Sequence, residues 1–197
     1  MQILEDLLFI CRNGYEVSGV VSDGRSGIVA AVRELSRTLE RKVPHQRCLV
    51  HVQLSAQRLI TQRPKTQAGK ELLEITRLLN QVKSQSDKRI WTLWLERWGK
   101  RYEVMLKEKT HEESGRWWYT HRFLRRAYRS LIPTDDFFRY LEYSGMPKDT
   151  NGIEGVFSQL DGNITRHRGL SQDKKEAFIA YKFIFREFPK YYPKTHT

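Results

Sequence analysis

A short β-branched run, Val17-Ser18-Gly19-Val20-Val21, stands between two stretches of helical periodicity and ends on Ser22-Asp23-Gly24. This arrangement restricts the fold more than any other feature of the chain. Before the run, Ile3, Leu4, Leu7, Leu8 and Cys11 recur at the spacing of one helix face, and Asn13-Gly14 supplies the stop. After it, Ile28, Val29, Val32, Leu35 and Leu39 line a second helix from about Ser26 to Arg41. Pro44 breaks the chain, and the apolar stretch His45 to Val52 reads as a second short strand running into a further helix. Helix, strand, helix, strand in that order predicts an α/β fold with parallel neighbours, because a helical crossover returns the chain in the same direction.

The segment that follows has no strand pattern and reads as all-helical. Leu72, Ile75, Leu79 and Val82 fit one amphipathic helix, and Ile90, Trp91, Trp94, Leu95, Trp98, Tyr102, Met105 and Leu106 fit a longer one. A third is expected from about Arg116 to Leu131, with Trp117, His121, Leu124, Tyr128 and Leu131 on one side and Arg122, Arg125, Arg126 and Arg129 on the other. Four guanidinium groups on one face are the chain's best candidates for phosphate contacts; a solvated outer face is the plain alternative. Turn chemistry from Ser144 to Asp149 precedes a helix carrying Ile153, Val156, Phe157, Leu160 and Ile164, closed by Arg166-His167-Arg168-Gly169. A final helix carries Ala177, Phe178, Tyr181, Ile184, Phe185 and Phe188.

Charge places the boundaries. Residues 1–54 carry 7 basic and 6 acidic side chains, residues 55–149 carry 20 and 12, and residues 150–197 carry 8 and 5. The excess sits in the middle segment with all five tryptophans, so that segment reads as an insertion between an α/β core (1–54) and the helices that complete it (150–197). A net charge of +12 points to a polyanionic partner. Two cysteines in 197 residues argue against a disulfide scaffold and for a reducing compartment. The acidic start, Met1-Gln2-Ile3-Leu4-Glu5-Asp6, is unlike a signal peptide, and no apolar run approaches membrane-spanning length, so the expected location is cytoplasmic, without a membrane partner.

The candidate chemistry rests on three short motifs. Asp23 falls at the carboxyl end of a strand, where functional side chains collect in α/β sheets, although an Asp-Gly turn or a helix cap accounts for it locally. Glu154, in Thr150-Asn151-Gly152-Ile153-Glu154-Gly155, has the spacing of a capping box with Asn151. Cys48-Leu49-Val50-His51 offers two ligand types at short spacing. The four ligands of a structural zinc are not there, so no zinc is expected, and a buried thiol with a hydrogen-bonded histidine is the simpler reading.

In this order, Val-Val-Ser-Asp-Gly-Arg-Ser-Gly, then Gln46 to His51, then Thr150 to Gly155 and Arg168-Gly169-Leu170, the chain resembles the insertion-sequence DDE transposases of the Mutator-like superfamily. The resemblance implies a partial ribonuclease H-like fold, mostly α by residue count, with a large all-helical insertion. It also implies DNA transposition by metal-dependent nicking and strand transfer on double-stranded DNA, at both transposon ends and target. Asp23 matches the second acid and Glu154 the third, 131 positions apart. Both would ligate Mg²⁺ or Mn²⁺, His51 would stand beside the site, and Arg166 and Arg168 would join the arginine stripe on DNA. The first acid of the family has no counterpart here, since Asp6 lies in a helical pattern. The expectation is therefore a fragment inactive alone, pairing with an upstream fragment or forming a homo-oligomer. A non-catalytic DNA-binding or regulatory remnant and an RNA-processing nuclease on the same fold are the alternatives.

Overall fold

The computed structural model describes residues 2–166 and 169–187. These residues are mostly helical, with two small two-stranded sheets among them, neither closed. Contacts divide it between Thr150 and Asn151 into two compact units.

In the first unit, α1 (Gln2–Arg12) ends where expected: Asn13 N–H donates back to the carbonyl of Phe9 at 3.1 Å, and Gly14 turns the chain at φ +85°. Strand β1 (Val20–Ser22) and strand β2 (His45–Arg47) pair in parallel, Val20 opposite His45 and Ser22 opposite Arg47, with α2 (Ser26–Thr38) as the crossover. Val32, Leu35 and Val43 form a small core under this pair, and the apolar faces of α1 and α2 close it through Leu4, Leu7, Leu8 and Ile28. Among the described residues no third strand joins the pair. The outer edge of β2 is covered instead by residues 136–140. Arg47 N–H donates to the carbonyl of Asp136 at 2.7 Å, and the fully buried Gln46 donates from Nε2 to the carbonyl of Phe137 at 2.8 Å and accepts from the N–H of Tyr140 at 3.2 Å.

The expected strand over residues 45–52 is shorter than its apolar run. Helix α3 (Leu49–Ile60) begins directly after Cys48, because Leu49, Val52, Ala56 and Ile60 bury one helical stripe. It runs without a break through residue 54, where the composition shift had placed a boundary, and packs on α7 (Arg122–Leu131). A larger core joins α3, α4 (Gln67–Leu78), α5 (Gln85–Arg101) and α7, around Leu72, Trp91, Leu95, Trp98, Leu131 and Phe137. Its two buried indoles are satisfied: Trp91 Nε1 donates to the carbonyl of Ile75 at 2.9 Å and Trp98 Nε1 to that of Ala68 at 3.0 Å. Thr66 and Ser84 cap α4 and α5 by accepting from the N–H groups of Gly69 and Asp87.

The middle segment is not all-helical, and its long second helix is two. Tyr102 leaves helical geometry, separating α5 from α6 (Glu103–Lys107). Lys109–His111 (β3) and Trp117–Tyr119 (β4) then form an antiparallel hairpin with Gly115 at φ +79° in its turn, so the helix expected from Arg116 starts only at Arg122. Thr110 paired with Trp118, and the adjacent aromatic run, suit a pleated surface better than a helix, and the glycine allows the reversal.

The second unit holds α8 (Asn151–Arg166), a turn with Gly169 at φ +102°, and α9 (Gln172–Glu187). Leu160 is the buried residue of α8, whereas Ile153 and Phe157 are exposed. The apolar face expected for the final helix extends to Phe188, which lies outside the described residues.

Candidate active site

The two parallel strands end side by side, and that sets the site. Asp23 follows β1 and Cys48 follows β2, and the two strand ends are tied by Cys48 N–H donating to the carbonyl of Ser22 at 2.6 Å. His51 stands three residues further on, half-buried in the first turn of α3. Asp23 and Cys48 thus stand at the carboxyl ends of the strands, where an open sheet presents its functional side chains, with His51 in the helical turn that follows.

Asp23 is 28% exposed, and both of its oxygens face Arg25: Oδ1 accepts the backbone N–H at 3.1 Å and Oδ2 pairs with Nε at 2.8 Å. The first contact is an Asx turn. The second is a surface ion pair, since the Arg25 side chain is 82% exposed, and such pairs contribute about 0–1 kcal/mol. A half-exposed, oxygen-only donor held by so weak a partner fits a hard divalent cation, which takes carboxylates together with waters. Gly24 is required beside it. It sits at φ +79°, and a Cβ there would come within 2.7 Å of Arg47 Nε.

Cys48 is fully buried, and its sulfur accepts from Thr150 N–H at 3.4 Å and from Thr150 Oγ1 at 3.3 Å. The Leu49 N–H donates to the carbonyl of Lys148 at 3.1 Å, so residues 148–150 are fastened along the start of α3. Glu154 lies in the first turn of α8 and belongs to the second unit, as does Arg166, exposed at the end of that helix. Arg168 lies outside the described residues.

Beneath Asp23 runs a polar chain that sequence reasoning missed. Ser22 Oγ is 2.8 Å from His45 Nε2 and accepts the Gly24 N–H at 3.1 Å. On its other side His45 Nδ1 lies 3.4 Å from Asp136 Oδ2, an ion-pair distance without hydrogen-bond alignment. The same oxygen pairs with Arg47 Nη2 at 3.0 Å and Nε at 3.2 Å, and Thr134 Oγ1 donates to Oδ1. Burial pushes the Asp136 carboxyl up, but His45, Thr134 and Arg47 outweigh it and hold the group well below the usual carboxylate range. Pro133 and the acids after it mark only the end of α7 in the sequence, so nothing local identifies Asp136 as a partner of β2.

The arginine stripe is present on α7, with unequal members. Arg122, Arg126 and Arg129 are exposed. Arg125 is half-buried, donating from Nη1 to the carbonyl of Leu106 at 3.2 Å with its guanidinium 4.1 Å from the centre of the Tyr119 ring. No described helix is long and apolar enough to cross a membrane. No family model matches the chain, and neither a curated protein nor a solved structure matches it.

Proposed function

We propose that this protein acts in DNA transposition, as part of a ribonuclease H-like catalytic assembly of the Mutator-like DDE type. The observation that carries the reading is the parallel strand pair, whose adjoining carboxyl ends bring Asp23 beside the Cys48-x-x-His51 turn. In this reading Asp23 and Glu154 each give a carboxylate to Mg²⁺ or Mn²⁺, and a further carboxylate comes from another polypeptide segment. When bound, such an ion supplies activation of water or of a 3′ hydroxyl and neutralises charge at the phosphorus. His51, in the first turn of α3 after Cys48, would serve as a proton handler or phosphate contact. DNA phosphates lie on Arg122, Arg126 and Arg129, with Arg166 and Arg168 as further phosphate contacts and Arg125 holding the helix in place.

The test is Mn²⁺ binding followed by magnetic resonance, alongside nicking of a duplex. We expect weak binding that is lost in Asp23→Ala and in Glu154→Ala, and negligible nicking by the chain alone. Equal Mn²⁺ affinity in Asp23→Ala and the unaltered protein would refute the metal role.

One observation favours a second reading, non-catalytic DNA binding: Arg25 satisfies both oxygens of Asp23. DNA affinity that needs no metal and survives Glu154→Gln would select it.

A further inference from the structure

Where Thr120 leaves the β3–β4 hairpin, the chain borders a notch of about 350 Å³ between the end of α3, the turn after it and the start of α7. Arg63, Lys65 and Arg122 line this notch with His121 and Phe123, and none of the lining residues is a carboxylate. The three cations form no ion pair among the described residues, whereas His121 is engaged by Glu108 at 3.3 Å. Like charges crowded around one concavity raise its potential, and an anion relieves it. One aromatic ring lines the notch: Phe123 is 54% exposed, with the Arg122 guanidinium 4.8 Å from the centre of its ring. On the hairpin, outside the lining, Trp117 and Trp118 are 50% and 37% exposed, with Lys109 Nζ 4.0 Å from the centre of the Trp117 ring.

Burying these rings would be favourable, yet they stand in solvent beside cations that a core would not tolerate. Cations that track a backbone, set next to ring faces, are the two elements by which proteins hold unpaired strands. A duplex has no use for the ring faces, because its bases already stack on one another. We propose that the notch binds single-stranded DNA, with Arg63, Lys65 and Arg122 on phosphates and Phe123 under an unpaired base, and with one face of the hairpin beyond it offering a further ring. The choice of DNA rests on the function proposed above; the strandedness rests on the rings and cations.

The experiment uses the full chain and fluorescence anisotropy, with labelled oligothymidine of about 12 nucleotides, a duplex of the same length and oligouridine, over roughly 50–200 mM salt. Oligothymidine is expected to bind tightest. Replacing Arg63, Lys65 and Arg122 together with Gln should weaken it and flatten the slope of log affinity against log salt by about 2, three phosphate contacts at about 0.7 each. Phe123→Ala should weaken it about 5- to 150-fold with the slope unchanged, and Phe123→Tyr should restore it. Circular dichroism checks that each variant keeps its helices, which surface positions of this kind should allow.

An unchanged slope in the triple variant, or an unchanged affinity in Phe123→Ala, overturns the proposal. So does tighter binding of the duplex or of oligouridine. Binding to the duplex but not to oligothymidine overturns this inference and leaves the DNA reading standing, whereas binding to none of the three overturns both.

Discussion

Replacing Asp136 with Asn tests whether the polar chain beneath Asp23 holds the two strand ends in place. The substitution keeps the shape and removes the charge that faces Arg47 and His45. Asp136 is 17% exposed, between a surface pair, where loss costs about 0–1 kcal/mol, and a buried one, where it costs about 3–5 kcal/mol. With Arg47, His45 and Thr134 all directed at one carboxylate, a cost of about 2–3 kcal/mol follows, a fall in midpoint of roughly 4–12 °C for a chain of this size.

The effect has a pH signature. The folded Asp136 carboxyl lies below its unfolded value, so its stabilisation is complete above the unfolded pKa of about 3.9 and is lost as pH falls toward the folded one. The gap between the unaltered protein and Asp136→Asn should therefore narrow by about 1.3 kcal/mol between about pH 5 and pH 3. Urea melts followed by tryptophan fluorescence at about pH 7, 5 and 3 measure it. A gap that does not depend on pH, or none at pH 7, would refute the role assigned to the charge.

Gly99→Ala should destabilise the protein by about 1–3 kcal/mol even though Ala is the better helix former, because a Cβ there would meet the Tyr128 hydroxyl oxygen at 2.1 Å; thermal melts give the sign. Gln46→Leu removes a buried amide that serves the carbonyls of Arg47 and Phe137 and the N–H of Tyr140. It should cost about 3–5 kcal/mol and raise proteolysis at residues 134–140, and a variant as stable as the parent would show that these groups find other partners.

Where the code is local, the fold was legible. The apolar spacing of Ile3, Leu4, Leu7 and Leu8 and the Asn13-Gly14 stop define α1, and the order of periodicities foretells a parallel β1–β2 pair. That pair sets Asp23 and Cys48 at neighbouring strand ends, whereas a place for His51 beside them is implied by the family resemblance alone. The hairpin was hidden because Trp117, His121, Leu124 and Tyr128 keep a helical spacing across a real boundary, and alternation over three residues is too short to compete. The Arg25 clamp on Asp23 depends on a side-chain rotamer, and the tie between β2 and residues 134–140 depends on contacts far apart in sequence; neither leaves a local pattern.

The distance along the chain between β2 and its partners bears on how this protein assembles. Arg47 and Asp136 are 89 positions apart and Gln46 and Phe137 are 91, so fastening them closes a loop of about 90 residues, an entropic cost of about 4 kcal/mol. The helices within that loop must gather first and shorten it, which makes the support beneath Asp23 a late event in folding. Lengthening the segment is cheap by comparison, since doubling it adds only about 0.6 kcal/mol. The helices between α3 and residue 134 can therefore grow or shrink with little effect on the strand ends, so long as the two points of attachment survive.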